Sequence, residues 1–306
     1  MACALGELDV HATLIEQAAT PPAGDINLLD TRSTALNAGT QKILANLGLW
    51  DAIAPHAAGI AAIHVSQAGH FGATRLYAKD AQIPALGYVV PNAALGRACA
   101  ARMAVLQAAS KLTVLQPAKL VTITQNTGGV QAKVHVNDAL DVVDGDMLIV
   151  AEGADSPTRA LLGVSTEDTD YTQVAVVTNI RVARPDAGWA YERFTPQGAM
   201  AVLPLDANAA GNTYALVWPR APDEAKRLMA LDDTAFLAEA QQLFGAKLGQ
   251  WQSCGKRAMF PVRRRVASTL VRDNTVLIGA AALSLHPVAA QGFNLSVRDV
   301  AWLAQC

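Results

Sequence analysis

The chain has 306 residues, with 24 lysines and arginines against 26 aspartates and glutamates, a net charge of −2. Hydrophobic residues make up 52% of it and charged ones 16%, which argues for a sizeable core and against disorder. The near-neutral balance argues against a nucleic-acid binder, and four scattered cysteines without a CxxC pair (Cys3, Cys99, Cys254 and Cys306) fit neither a disulfide scaffold nor a zinc site.

The length suits about two domains, at ~100–200 residues each. No apolar run approaches the ~18 residues of a membrane span. The first residues lack a basic region and meet an acid at Glu7, so no signal peptide is expected. Composition therefore predicts a cytoplasmic protein with at most peripheral membrane contact.

In chain order, residues 10–16 read as a short strand ending on Glu16. Residues 34–49 read as a helix, with Ala35, Leu36, Ile43, Leu44 and Leu47 on one face and Gly48 as a stop. Residues 60–78 alternate like two strands around a turn at Gly69 and Gly72. A helix is expected over 92–106. A strand meander follows over 112–136, with a hairpin turn at Asn126-Thr127-Gly128-Gly129. Residues 147–151 are wholly apolar, as in a strand buried on both faces. Four strand-like runs, 174–182, 190–195, 199–205 and 213–218, predict an antiparallel sheet. A helix over 223–244, a short strand over 275–279 and a helix from 293 onward complete the chain. Strands and helices interleave at both ends around an antiparallel block, the pattern of an α/β nucleotide-binding domain with an insertion.

Three motifs bear on chemistry. Glu16 ends a strand, where a dinucleotide fold places the acid that binds a ribose hydroxyl; an ordinary surface glutamate reads the same way. Residues 148–159 run from a buried strand into a turn at Glu152-Gly153, followed by Ser156 and Arg159. Glycine there lets backbone approach a ligand closely, and a plain strand–turn–helix junction is the alternative. The most specific motif runs from Val276 through Gly279 and Ala280 to His286-Pro287, then Gln291-Gly292-Phe293-Asn294 and Arg298-Asp299. Pro287 stiffens its loop, and the helix opening at Gln291-Gly292 presents free N–H groups that favour negative charge. His286 reads equally as a packed loop histidine.

In this order and spacing, the three motifs resemble the FAD-dependent aromatic hydroxylases, and more closely those of ubiquinone biosynthesis. The resemblance covers nearly the whole chain and includes Thr31-Arg32-Ser33, Ile63-His64-Val65-Ser66, Tyr191-Glu192-Arg193-Phe194-Thr195 and Leu285-His286-Pro287-Val288-Ala289. It implies an α/β (α+β) fold: a Rossmann-like FAD-binding domain, incomplete, over 1–57, 90–165 and 268–306, and an inserted antiparallel-sheet substrate domain over 58–89 and 166–267. It also implies hydroxylation of a polyprenyl phenol with NAD(P)H and O2, through a flavin C4a-hydroperoxide and without a metal. Other ubiquinone-biosynthesis proteins are the implied partners. On this resemblance Glu16 binds the adenosine ribose and Arg32 lies near the flavin. Glu152, Gly153, Gly279, Ala280 and Asn294 border the cofactor, the backbone at Gln291, Gly292 and Phe293 faces the flavin pyrimidine, and Pro287 with His286 positions the ring side. No side-chain general base is implied.

The chain departs from the family pattern in places. It contains no GxGxxG run, the loop that receives the FAD pyrophosphate. Residues 1–8 read as the tail of a first helix, so the first strand, its loop and the later C-terminal helices are expected to be missing. Ala280 stands where an Asp or Asn contacts the ribityl chain, Ala290 and Ser296 replace glycines, Leu283 replaces a His, and Glu152 replaces an Asp. These departures predict weakened FAD binding. They keep two other readings open: a catalytically silent scaffold subunit, and a flavin hydroxylase of another phenol. Arg263-Arg264-Arg265 reads as a charged turn rather than an anion site. Trp189, Tyr191 and Phe194 either line a prenyl-phenol pocket or form a core stripe.

Overall fold

The computed structural model describes residues 1–19, 24–137, 139–208, 211–286 and 290–306. Alternating apolar residues, mostly in the second half of the chain, build a nine-stranded sheet. From one edge its strands are Leu283–Ser284, Ala258–Ala267, Thr166–Val182, Thr213–Arg220, Gly198–Pro204, Trp189–Thr195, Ala62–Gln67 and Ala73–Tyr77, with Trp251–Cys254 paired beside the end of Thr166–Val182. The sheet is mixed rather than purely antiparallel, because Trp189–Thr195 and Ala62–Gln67 run parallel, with Tyr191 opposite His64. Ala62–Gln67 comes from far earlier in the chain, so its direction is not set by a hairpin with its neighbour.

Two helices cover one face of this sheet. The helix expected over 223–244 is in fact two, Pro222–Ala230 and Asp233–Phe244. Leu231 is extended, and the Asp232 carboxylate accepts from the Ala235 N–H at 2.8 Å, which starts a new helix. Their apolar sides meet Tyr191, Met200, Tyr214, Leu216 and Trp218 in the largest core cluster. Each large side chain buried there contributes about 2 kcal/mol of transfer free energy.

The first part of the chain forms smaller sheets. Ala12–Ile15 pairs in parallel with Leu112–Leu115, and Leu148–Val150 pairs in parallel with Thr275–Leu277. Among the described residues no ladder joins these two pairs. The strands Ala118–Asn126, Gly129–Val136 and Ala139–Gly145 form an antiparallel meander, whose first turn is the expected hairpin and whose third strand was not expected. Helix Asn92–Ala108 packs with Leu36, Leu44, Ile53 and Val90 in a second cluster.

The helix expected over 34–49 begins only at Ala38. Ser33–Asn37 is a strand, with Leu36 opposite Tyr88 in Gly87–Pro91. Asn37 ends the strand and caps the helix, its Oδ1 accepting from the Thr40 N–H at 2.8 Å. Ala35 and Leu36 fit either periodicity, and the cross-strand pairing decides. No described helix is long and apolar enough to cross a membrane.

Candidate functional site

Two turns leave the same end of one parallel pair. Val150 lies opposite Leu277, and the Ile278 N–H donates to the Val150 carbonyl at 3.0 Å, so the turn after Val150 and the loop after Leu277 start side by side. The carboxyl end of parallel strands is where open α/β sheets bind ligands.

In the first turn the Glu152 carboxylate is held by its own neighbours. Ser156 Oγ donates to Oε2 at 2.6 Å, the Thr158 N–H donates to Oε2 at 3.0 Å, and Thr158 Oγ1 donates to Oε1 at 2.5 Å. Gly153 has φ +106°, and a Cβ placed on it would meet nothing within 4 Å. The turn therefore presents open backbone, while its acid holds the start of the helix Pro157–Leu161.

In the second loop Gly279 has φ +62°, a left-handed conformation that favours glycine, and its backbone packs near Ser296. Ala280 is exposed. Arg159 is buried and joins the two turns, donating from Nη1 to the Ala281 carbonyl at 2.9 Å and from Nη2 to the Ala154 carbonyl at 2.8 Å.

The helix Gln291–Leu303 starts beside this loop, with Ala290 left-handed at its cap position and no side-chain cap. A Cβ at Gly292 would meet nothing within 4 Å, and Phe293 is exposed. Asn294 is buried and faces the protein. Its Oδ1 accepts from the Asn37 N–H at 2.9 Å, and its Nδ2 donates to the Ala35 carbonyl at 3.0 Å and the Ala290 carbonyl at 2.7 Å.

Other expected site residues lie apart. Glu16 follows the strand Ala12–Ile15 in the other parallel pair, and its Oε1 accepts from the Ala18 N–H at 2.7 Å. The Arg32 guanidinium lies over the Phe260 ring at 4.8 Å, on the large sheet. The His286 ring meets Tyr171 edge-on at 5.0 Å, and burial lowers its pKa. Pro287 lies outside the described residues.

The three consecutive arginines sit on a strand, not a turn, opposite the acids of Thr166–Val182. Arg263 pairs with Asp170, Arg264 with Glu167, and Arg265 with both Asp168 and Asp155. Trp189 and Tyr191 pack in the helix-covered core, whereas Phe194 is exposed.

One residue that sequence reasoning passed over stands out. Glu192, next to Tyr191 but on the opposite sheet face, is partly buried, and burial pushes its pKa up to about 7. In the sequence it stands between Tyr191 and Arg193 and reads as an ordinary charged strand residue, so no local signal marks it.

A model of the FAD binding domain matches residues 1–306, the whole chain. The chain belongs to the FAD binding domain family. It is 32% identical over 305 residues to ubiquinone hydroxylase UbiL of Rhodospirillum rubrum, covering 100% of this chain and 68% of that protein. It is 28% identical to 3-demethoxyubiquinol 3-hydroxylase of Escherichia coli, covering 98% of this chain and 74% of the other. Among solved structures, p-nitrophenol 4-monooxygenase PnpA from Pseudomonas putida DLL-E4 superposes with a TM-score of 0.77 at 17% identity, over 99% of this chain and 75% of that one. This shared architecture agrees with the mixed α/β fold of an FAD binding domain chain.

Proposed function

We propose that the chain is an FAD-dependent monooxygenase that hydroxylates a polyprenyl phenol in ubiquinone biosynthesis, with NAD(P)H and O2 as co-substrates. The observation that carries this reading is the junction of two turns and one helix start. Gly153 and Gly292 both leave room for a close neighbour, and no side chain caps the helix that begins at Gln291. A planar, partly anionic ring system fits such backbone N–H groups. Bound FAD would supply the oxygen activation and transfer.

The chain's own residues bind and orient. Glu16 holds the adenosine ribose, and Arg32 borders the flavin. The backbone at Glu152, Gly153, Gly279 and Ala280 follows the ribityl side. The N–H groups of Gln291, Gly292 and Phe293 face the pyrimidine, and Asn294 belongs to the cofactor site by fixing the helix behind them. His286 and Pro287 position the ring side. Residues 1–57, 90–165 and 268–306 form the cofactor part, and 58–89 with 166–267 the substrate part.

A second reading, a catalytically silent subunit that docks with other quinone-synthesis proteins, is favoured by Ala280, which offers the ribityl side no polar group. One experiment separates the two. The purified chain is titrated with FAD and its visible spectrum recorded, then NAD(P)H oxidation is followed with and without a prenylated phenol. A perturbed flavin spectrum and phenol-stimulated, product-forming oxidation support the hydroxylase. No bound flavin at tens of micromolar FAD leaves the silent subunit.

A further inference from the structure

The face of the nine-stranded sheet turned away from the two helices carries one row of side chains across six strands. By register, Val65 lies beside Glu192, Glu192 beside Ala201, Ala201 beside Val217, Val217 beside Val177 and Val177 beside Ala258. All six are partly buried. Five are small or β-branched and apolar, so the row is a low floor, and Glu192 is its only ionisable group.

Two walls flank the row. On one side Ile63, Ala190 and Leu203 pack against Leu28, Ile60 and Val89, and Asn179 Nδ2 donates to the carbonyls of Leu28 and Thr31, both at 2.6 Å. The segment that ends at Arg32 is thereby pinned to this face. On the other side Phe194 and Phe260 are 45% and 37% exposed, and Arg32 lies over Phe260. The row thus lies between the two exposed phenylalanines and the packed segment that the proposed function places beside the cofactor.

Glu192 has no hydrogen-bond or ion-pair partner among the described residues, and burial alone shifts its pKa upward. Strand alternation puts His64, Arg75, Tyr191 and Arg193 on the helix-covered face. Thr74 follows Val65 at the end of the row, and Arg32 is the cation at the Phe260 side. An unpaired carboxylate on an apolar floor is costly unless a ligand supplies its hydrogen bond.

We propose that this row is the floor on which the phenol ring of the substrate lies, and that Glu192 takes and returns the proton of its hydroxyl group. This rests on the hydroxylase reading above. The O–H bond of the phenol breaks, its proton joins a Glu192 carboxylate oxygen, and the electron pair stays on the phenolate oxygen. The ring becomes more electron-rich for attack by an electrophilic oxygen, and the carboxylic acid later returns the proton. An acid held near neutrality is suited to such a transfer.

The test uses the full chain with FAD and 4-nitrophenol, whose ionised form absorbs visible light. Binding is titrated from pH 5 to pH 9 for the wild type, Glu192→Gln and Ala201→Phe. The wild type is expected to bind best while carboxylate and phenol share a proton, and to lose at least tenfold in affinity at high pH, when both are ionised. Glu192→Gln, nearly isosteric, is expected to bind with that loss abolished, and Ala201→Phe to lose binding at every pH by filling the floor. The same alkaline loss in Glu192→Gln and wild type overturns the role of Glu192. Unchanged binding by Ala201→Phe overturns the floor, as does failure of the wild type to bind the phenol. The flavin spectrum, recorded in the same cuvette, reports separately on the hydroxylase reading.

Discussion

Arg159 Nη1 donates to the carbonyl of Ala281 at 2.9 Å, a contact that spans 122 residues of sequence. Its Nη2 donates to Ala154, so one buried guanidinium sets the spacing of the two turns at the candidate site. Arg159→Ala removes both donors and takes the side-chain partner of the Ala281 carbonyl, whereas the Ala154 carbonyl keeps the donor from Arg265 Nη1 at 2.9 Å. Each such loss costs about 1–3 kcal/mol. We expect the urea midpoint to fall by the equivalent of about 3 kcal/mol, and Arg159→Lys to recover only part of it, because an ammonium cannot span two carbonyls with a planar fork. An unchanged midpoint in Arg159→Ala would show that the turns hold their spacing alone.

Asn294 performs the same task one step away. It bonds Asn37, Ala35 and Ala290, so it latches the helix Gln291–Leu303 to the strand Ser33–Asn37. Asn294→Leu keeps the number and branching of the heavy atoms and removes all three bonds. The expected result is a loss of about 2–4 kcal/mol in equilibrium unfolding, with faster amide exchange in the first turn of the helix. Slow exchange there in the variant would assign the anchoring to packing around Val297 instead.

Much of this architecture was legible in the residues. The apolar run at Leu148–Val150 and the alternation at Trp189–Thr195 became strands where expected. What local pattern could not carry is which distant segment pairs with which. Residues 34–37 read as helix until Tyr88 lies opposite Leu36, and three consecutive arginines read as a turn until acids stand across the ladder. At the candidate site Gly153 and Gly279 take the positive φ that a turn glycine announces, because backbone freedom is a local property. The engagement of Glu152 by Ser156 and Thr158, and the isolation of Glu192 on its face, follow from tertiary placement and were not readable one residue at a time.

Ala280 is exposed in the loop after Gly279. On the proposed function it borders the ribityl chain without a polar group to offer. Ala280→Asn adds a donor and an acceptor there. One new hydrogen bond contributes about 1 kcal/mol, so FAD affinity is expected to rise roughly five- to tenfold, read by quenching of flavin fluorescence. The same substitution is expected to leave the unfolding midpoint of the FAD-free chain unchanged. Equal FAD affinity in the two proteins would place the ribityl chain elsewhere.

Glu192 also sets a pH dependence of stability. Its folded pKa is raised to about 7 by burial, above the ordinary 4.5 of a glutamate. Between these values the folded chain binds a proton that the unfolded chain has released, so stability falls as pH rises across that window. The stabilisation is fully present below the unfolded pKa and is lost as pH passes the folded one. Glu192→Gln carries no titrating group and should remove this component. The prediction is therefore a difference: wild type minus Glu192→Gln, measured as urea midpoints at pH 5 and pH 8, should shift against the wild type at the higher pH. Midpoints that move in parallel would mean that the Glu192 carboxylate is solvated in the folded chain and ionises as it does in the unfolded one.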